Sequence, residues 1–181
     1  MPEDPYSSLT EPQNIPDNLK VPDGHVLLLQ AYGKGVQKYV CPVSATSKAT
    51  PHAILLEDDS DEGDLVAIHF AGPTWEALDG SSVVGDTTPG ILQSAPAPDP
   101  NGVPWLRITA KSHGGNGLFS RVTYIQRLYT DGGKPPAEAA IRQTIRLRYW
   151  WSILRSTFSM VLQMNSSSTV VVLARVYSLP G

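Results

Sequence analysis

Four residues within HFAGPTWEALDG (69–80) are of types that do chemistry together: His69, Trp75, Glu76 and Asp79. Two carboxylates flanking an aromatic ring can serve sugar chemistry, in which an acid and a base stand on opposite sides of one bond. The structural explanation of the same residues weighs more. Gly72-Pro73 is a turn, Trp75 is large enough for core or rim, and Glu76 and Asp79 are most simply solvated.

His113 sits in SHGGNG (112–117), a glycine-rich loop where an imidazole can act as acid, base or ligand. The histidines, His25, His52, His69 and His113, are scattered with no H-x-x-x-H or E-x-x-H pair, so no metal site is expected. EDDSDEGD (57–64) clusters oxygens as a hard cation requires. Its glycine falls one residue early and no bidentate Glu follows in place, which leaves a solvated hairpin tip. YGKGVQKY (32–39) holds G-x-G, but Lys38 replaces the third glycine and no helix pattern follows, so a dinucleotide loop is rejected. No P-loop or G-x-S-x-G elbow occurs, and no cofactor is expected. Cys41, the single cysteine, has no base near it in sequence.

Short strands must position these residues. With 16 Pro and 15 Gly, the chain favours brief elements joined by turns. HVLLLQAY (25–32) and VQKYV (36–40) read as strands parted by GKG, the punctuation of a hairpin. AILLE (53–57) and LVAIHF (65–70) flank the acidic tip as a second hairpin. TWEAL (74–78) leads into DGSSVVG (79–85) through Asp79-Gly80, residues that tolerate positive φ. After a Pro-rich loop over 86–104, WLRITAK (105–111) and SRVTYIQRLYT (120–130) alternate with period two. That pattern predicts half-buried strands, with Val122, Tyr124, Gln126 and Leu128 on one face. The fold class is all-β, an antiparallel sandwich or barrel over 20–138, preceded by an irregular lead-in over 1–19 that begins a proline-rich stretch. The last residues of this lead-in are expected to dock on the domain.

A net charge of −3 provides no footprint for nucleic acid, which needs a basic patch. The average hides a split, because all 17 acidic residues fall within 1–138 and the basic residues of 139–181 are all arginine. The N-terminus, MPEDPYSSLTEPQNIPDNLKVPDG, carries acids and prolines where a signal peptide has a basic start and an apolar core. Taken alone, that points to the cytoplasm. No window is long enough to span a bilayer, the nearest being TVVVLARVY.

GVQKYVC, HFAGPTWEALDGSSVVG and APAPDPNGVPWLRITAKSHGGNGLFSRVTYIQRLYTDGGKPPAE occur in that order. Together they resemble a family of fungal and bacterial domains of unknown function, whose fungal members are sometimes labelled malate dehydrogenase-like. The resemblance implies a mostly β, usually secreted domain with no established activity and no catalytic residue to carry over. The dehydrogenase label has no support in these residues, which lack every element of a nucleotide-binding βαβ unit. Family members continue past GGKPP with a Gly-Cys pair, a polar-apolar strand and an aromatic-rich terminal strand. This chain departs at Ala139. Reading each codon one nucleotide earlier, with permitted codon choices, turns residues 139–161 into GCDQTNNQVEVLVEYTAQYFFYG and restores those features. Residues 139–181 therefore read as an out-of-frame, aberrant tail. Its expected consequences are bare strand edges and a Cys41 deprived of its disulfide partner, a bond worth about 2–4 kcal/mol. Taken at face value instead, Ile141, Ile145, Trp151 and Leu154 recur with arginines at helical intervals, as in a basic amphipathic helix for a membrane surface or partner groove.

Two functions follow as expectations. The first is a non-catalytic exported domain presenting Trp75, Trp105 and nearby polar groups (His69, Glu76, Asp79, His113) to a glycan or small molecule. The other is an enzyme working on a small substrate through Glu76, Asp79 or His113.

Overall fold

The computed structural model describes Leu9 and residues 11–40, 49–60, 62–134, 159–160 and 170–177. Cys41, Ile141, Ile145, Trp151 and Leu154 lie outside the described residues. One 3-10 turn, Asp17–Leu19, precedes the strands β1 His25–Val40, β2 Thr50–Leu56, β3 Leu65–Phe70, β4 Thr74–Ala77 and β5 Ser82–Gly85. There follow β6 Gln93–Ala95, β7 Trp105–Gly114, β8 Val122–Leu128, β9 Ser159–Met160 and β10 Val170–Tyr177. Among the described residues no helix is long and apolar enough to cross a membrane.

Hairpins build the sheet outward from β1 through β2, β3, β4 and β5, as the turn residues at 57–64 and 79–80 predict. β5 then pairs β7, β7 pairs β8, β8 pairs β10, and β10 returns to β1, every pairing antiparallel. The sheet is thus all but closed into a barrel, the second of the two architectures the strand pattern allowed. β6 lies beside the start of β7, and β9 beside the end of β1.

Two details depart from the sequence reading. GKG is not a turn, because β1 runs unbroken for 16 residues through Gly33 and Gly35. Its first half pairs β10, its second half pairs β2, and the two ladders overlap at Tyr32 and Gly33. Glycine at 35 answers a close approach: a Cβ there would overlap the carbonyl oxygen of His52 and lie 2.5 Å from Cα of Ala53. The second departure is in β8. The register slips between Tyr124 and Val122, so Val122 joins Ile125 in the inner core, and Leu128 belongs to a separate outer one.

The inner core fills the barrel with Leu28, Leu55, Trp75, Val83, Ile108, Phe119 and Ile125. The outer core joins Leu27, Trp105 and Leu128 to the lead-in, whose Leu19 is fully buried. Buried Gln126 donates through Nε2 to the Leu19 carbonyl at 2.7 Å. Tyr129 donates its hydroxyl to the Gln13 carbonyl at 2.8 Å, and the Arg107 guanidinium donates to the Lys20 carbonyl. The expected docking of the lead-in is therefore present, and it buries the outer face of β8 where a half-buried strand was expected.

The bare edges expected of an out-of-frame tail are also corrected. β10 comes from within 139–181 and pairs with both β1 and β8. Its sequence, VVVLARVY, is rich in the β-branched residues that suit a pleated strand, which any neighbouring edge with free backbone groups can recruit.

Candidate functional site

The barrel interior is not filled evenly. One row of directly opposed residues crosses five strands as Gly35, Ala53, His69, Trp75 and Val83. Successive residues of a strand face opposite sides, so this row shares a face with the neighbouring row Gly33, Leu55, Ala67 and Ala77. Glycine and alanine on β1 and β2 thus leave room before the two rings on β3 and β4. The result is a chamber of about 60 Å³, bordered also by Gln37, Arg127, Asp131 and Gly133.

The two rings form one unit. His69 stacks on Trp75 with centroids 4.3 Å apart and planes 10° from parallel. The short turn from Phe70 to Thr74 sets this geometry, since it places His69 directly across from Trp75. Nδ1 of His69 lies 2.9 Å from the Thr74 carbonyl oxygen. A carbonyl only accepts, so Nδ1 carries the hydrogen and the neutral ring keeps its lone pair on Nε2. Burial pulls the imidazole from 6.5 down to about 4, opposed by the bond to Thr74 and assisted by the charge of Arg127. Trp75 is 3% exposed, and its Nε1 has no acceptor among the described residues.

The lowered His69 value has a stability consequence. Below pH 6.5 the unfolded chain gains a proton that the folded chain refuses until about pH 4. The contribution is therefore complete above 6.5 and lost as the pH falls toward 4. Urea denaturation should show unfolding free energy dropping by about 1 kcal/mol per pH unit in that window, and His69→Phe should flatten the slope.

Arg127 is held at the chamber end of β8, where its Nη2 and Nε donate to the Pro104 carbonyl at 2.8 and 3.2 Å. The turn beyond it closes one side of the mouth. There Gly132 and Gly133 adopt φ of 66° and 87°, which glycine tolerates, and the Gly132 amide donates to Asp99 Oδ2 at 3.0 Å. The hydrogen bond from Asp99 raises the carboxyl of Asp131, with burial and like charge acting in the same direction.

Of the six residues singled out in the sequence, the structure brings His69 and Trp75 together and sets the others apart. Glu76 is exposed on the side of β4 opposite Trp75. Trp105 is 4% exposed in the outer core, edge-on to Tyr129 at 5.1 Å. The Nε2 of His113 lies 2.7 Å from the Val122 carbonyl oxygen. Asp79 clamps a turn: Oδ1 accepts from the Ser81 amide at 2.8 Å and hydroxyl at 2.6 Å, and Oδ2 from the Leu118 amide at 2.7 Å. Ser81 Oγ in turn accepts from the Phe119 amide at 3.0 Å. These bonds, the Ser81 hydroxyl first, hold the Asp79 carboxyl below its ordinary value. Asp79→Ala should lower the melting temperature by several degrees while leaving ligand affinity within about twofold, as calorimetry would show.

Sequence reasoning missed Arg127, Gln37, Asp131 and the glycines of β1. One signal was present. Once Tyr124, Gln126 and Leu128 are given one face of β8, alternation sends Arg127 to the other, among the barrel's interior residues.

A nearly closed antiparallel barrel with a small polar chamber at one end is the class of molecule that fold and site define. Residues 22–149 match the family described as "Protein of unknown function (DUF3455)", and the chain belongs to that family. The match starts just before β1 and continues past Ala139. No curated protein and no solved structure matches the chain.

Proposed function

We propose that this protein is a binding domain that takes a small molecule into the chamber at the end of its barrel. The observation that carries the reading is the row Gly35, Ala53, His69 and Trp75, where missing side-chain bulk faces a stacked aromatic pair with an unsatisfied indole N–H. Concave sites of mixed apolar and convergent polar lining are where small ligands bind. Size favours a small molecule over a glycan chain. A sugar platform needs an open aromatic face, but Trp75 is covered by His69 and Trp105 is buried. Binding is favoured over catalysis because Asp79 spends its oxygens on backbone and hydroxyl donors and Glu76 points away from the chamber. The family resemblance supports an exported protein.

Calorimetric titration of small polar molecules and short glycans against the purified chain tests this reading. A small molecule should bind, and His69→Phe should weaken it about tenfold or more, with Glu76→Gln unchanged. Turnover of any substrate that Glu76→Gln abolishes would favour an enzyme instead, and a glycan bound equally well by His69→Phe would place the site elsewhere.

A further inference from the structure

We propose, on the reading that the chamber binds a small molecule, that its ligand is a compact carboxylate whose binding carries a proton onto Nε2 of His69. The volume, about 60 Å³, admits only a few non-hydrogen atoms. Two of the chamber's groups are donors of the kind a carboxylate takes: the buried indole N–H of Trp75, which has no acceptor among the described residues, and the Arg127 guanidinium. Asp131 is the single carboxylate among the described lining residues, and its contact with Asp99 favours its protonated form. β1 and β2 contribute Gly33, Gly35, Gln37 and Ala53 to the lining, none of them charged. The charge acting on His69 is therefore that of Arg127.

A carboxylate entering this space accepts from Trp75 and offsets the charge of Arg127. It also reverses the field at the imidazole. Nδ1 already donates to Thr74, so the ring has one vacancy for a proton, at Nε2, and a carboxylate there makes a charge-assisted hydrogen bond with it. The proton comes from solvent, and no covalent bond other than that N–H changes. A neutral ligand of similar size can accept from Trp75 but leaves the field positive, so it enters without a proton.

Acetate is the probe, with acetamide and glycerol as neutral counterparts, titrated into the full chain and followed by tryptophan fluorescence and by calorimetry in two buffers of different ionisation enthalpy. Acetate should take up about one proton on binding, and its affinity should rise by up to about tenfold for each pH unit lowered between about pH 7 and pH 5. The neutral probes should bind about tenfold more weakly, and His69→Gln should abolish proton uptake and the pH dependence. Acetate bound without proton uptake, or acetamide bound as tightly as acetate, would overturn the carboxylate assignment while leaving the chamber as a binding site. Failure of all three probes to bind would overturn both. The wild-type proton count decides the matter even where His69→Gln fails to fold.

Discussion

A chain shortened to end before Val170 will not fold cooperatively. β10 has backbone ladders on both sides, from His25↔Tyr177 to Gly33↔Val170 with β1 and from Val171↔Leu128 to Val176↔Val122 with β8. Removing it leaves two unpaired edges and opens the wall beside the inner core, where Ile125, Val122 and Ala31 are almost fully buried. A domain's stability is only about 5–15 kcal/mol, so losing two ladders and the cover of a core exceeds what it can bear. Circular dichroism and size-exclusion chromatography should show a broad, non-cooperative melt and association of the truncated chain. Val172→Pro in the full chain tests the same strand without shortening it. Position 172 faces Ala31 on one side and Arg127 on the other, and proline removes an amide hydrogen that a central strand uses. A truncated chain that melts as sharply as the full one would show that the edges of β1 and β8 do not need β10.

Gly35→Val should be the most damaging single substitution in the chamber. Its Cβ would overlap the His52 carbonyl oxygen and press on the backbone of Ala53, so β2 must shift or the β1–β2 ladder must break. Overpacking against backbone costs about 3 kcal/mol, enough to lower the melting temperature by roughly 10 °C in a domain of this size. Ligand binding should disappear as well, since the new methyl groups would occupy space bordered by His69 and Trp75. Lys34→Ala is the control. That side chain reaches across to the Asp59 carbonyl at an exposed site, and its loss should cost less than about 1 kcal/mol. Differential scanning calorimetry of the two variants gives the comparison, and a Gly35→Val protein as stable as Lys34→Ala would show that the chamber wall is more yielding than its geometry implies.

The hairpins were legible because their turns use local chemistry. Asp79-Gly80 and the acidic tip after Leu56 announce themselves in four or five residues. GKG misled because glycine has two meanings in β proteins: it permits turns, and it permits another backbone to come close. Only the partner strand decides between them, and the partner of Gly35 is Ala53, which no local pattern specifies. β10 was hidden for a related reason. Its pairing depends on edges created by residues more than a hundred positions away. At the site, His69 and Trp75 were legible as residue types, but their stacking needed the register of the β3–β4 hairpin. Asp79 and Glu76 looked equally chemical because a carboxylate that clamps a turn, one that is merely solvated and one that catalyses have the same letter.

The imidazole of His69 reports on the chamber most directly. In ¹⁵N-resolved NMR across a pH titration, the ring should keep its hydrogen on Nδ1 and stay neutral until about pH 4. A ring that titrates near 6.5, or that carries its hydrogen on Nε2 when neutral, would mean that His69 is not packed between Trp75, Thr74 and Arg127, and the chamber described here would not exist.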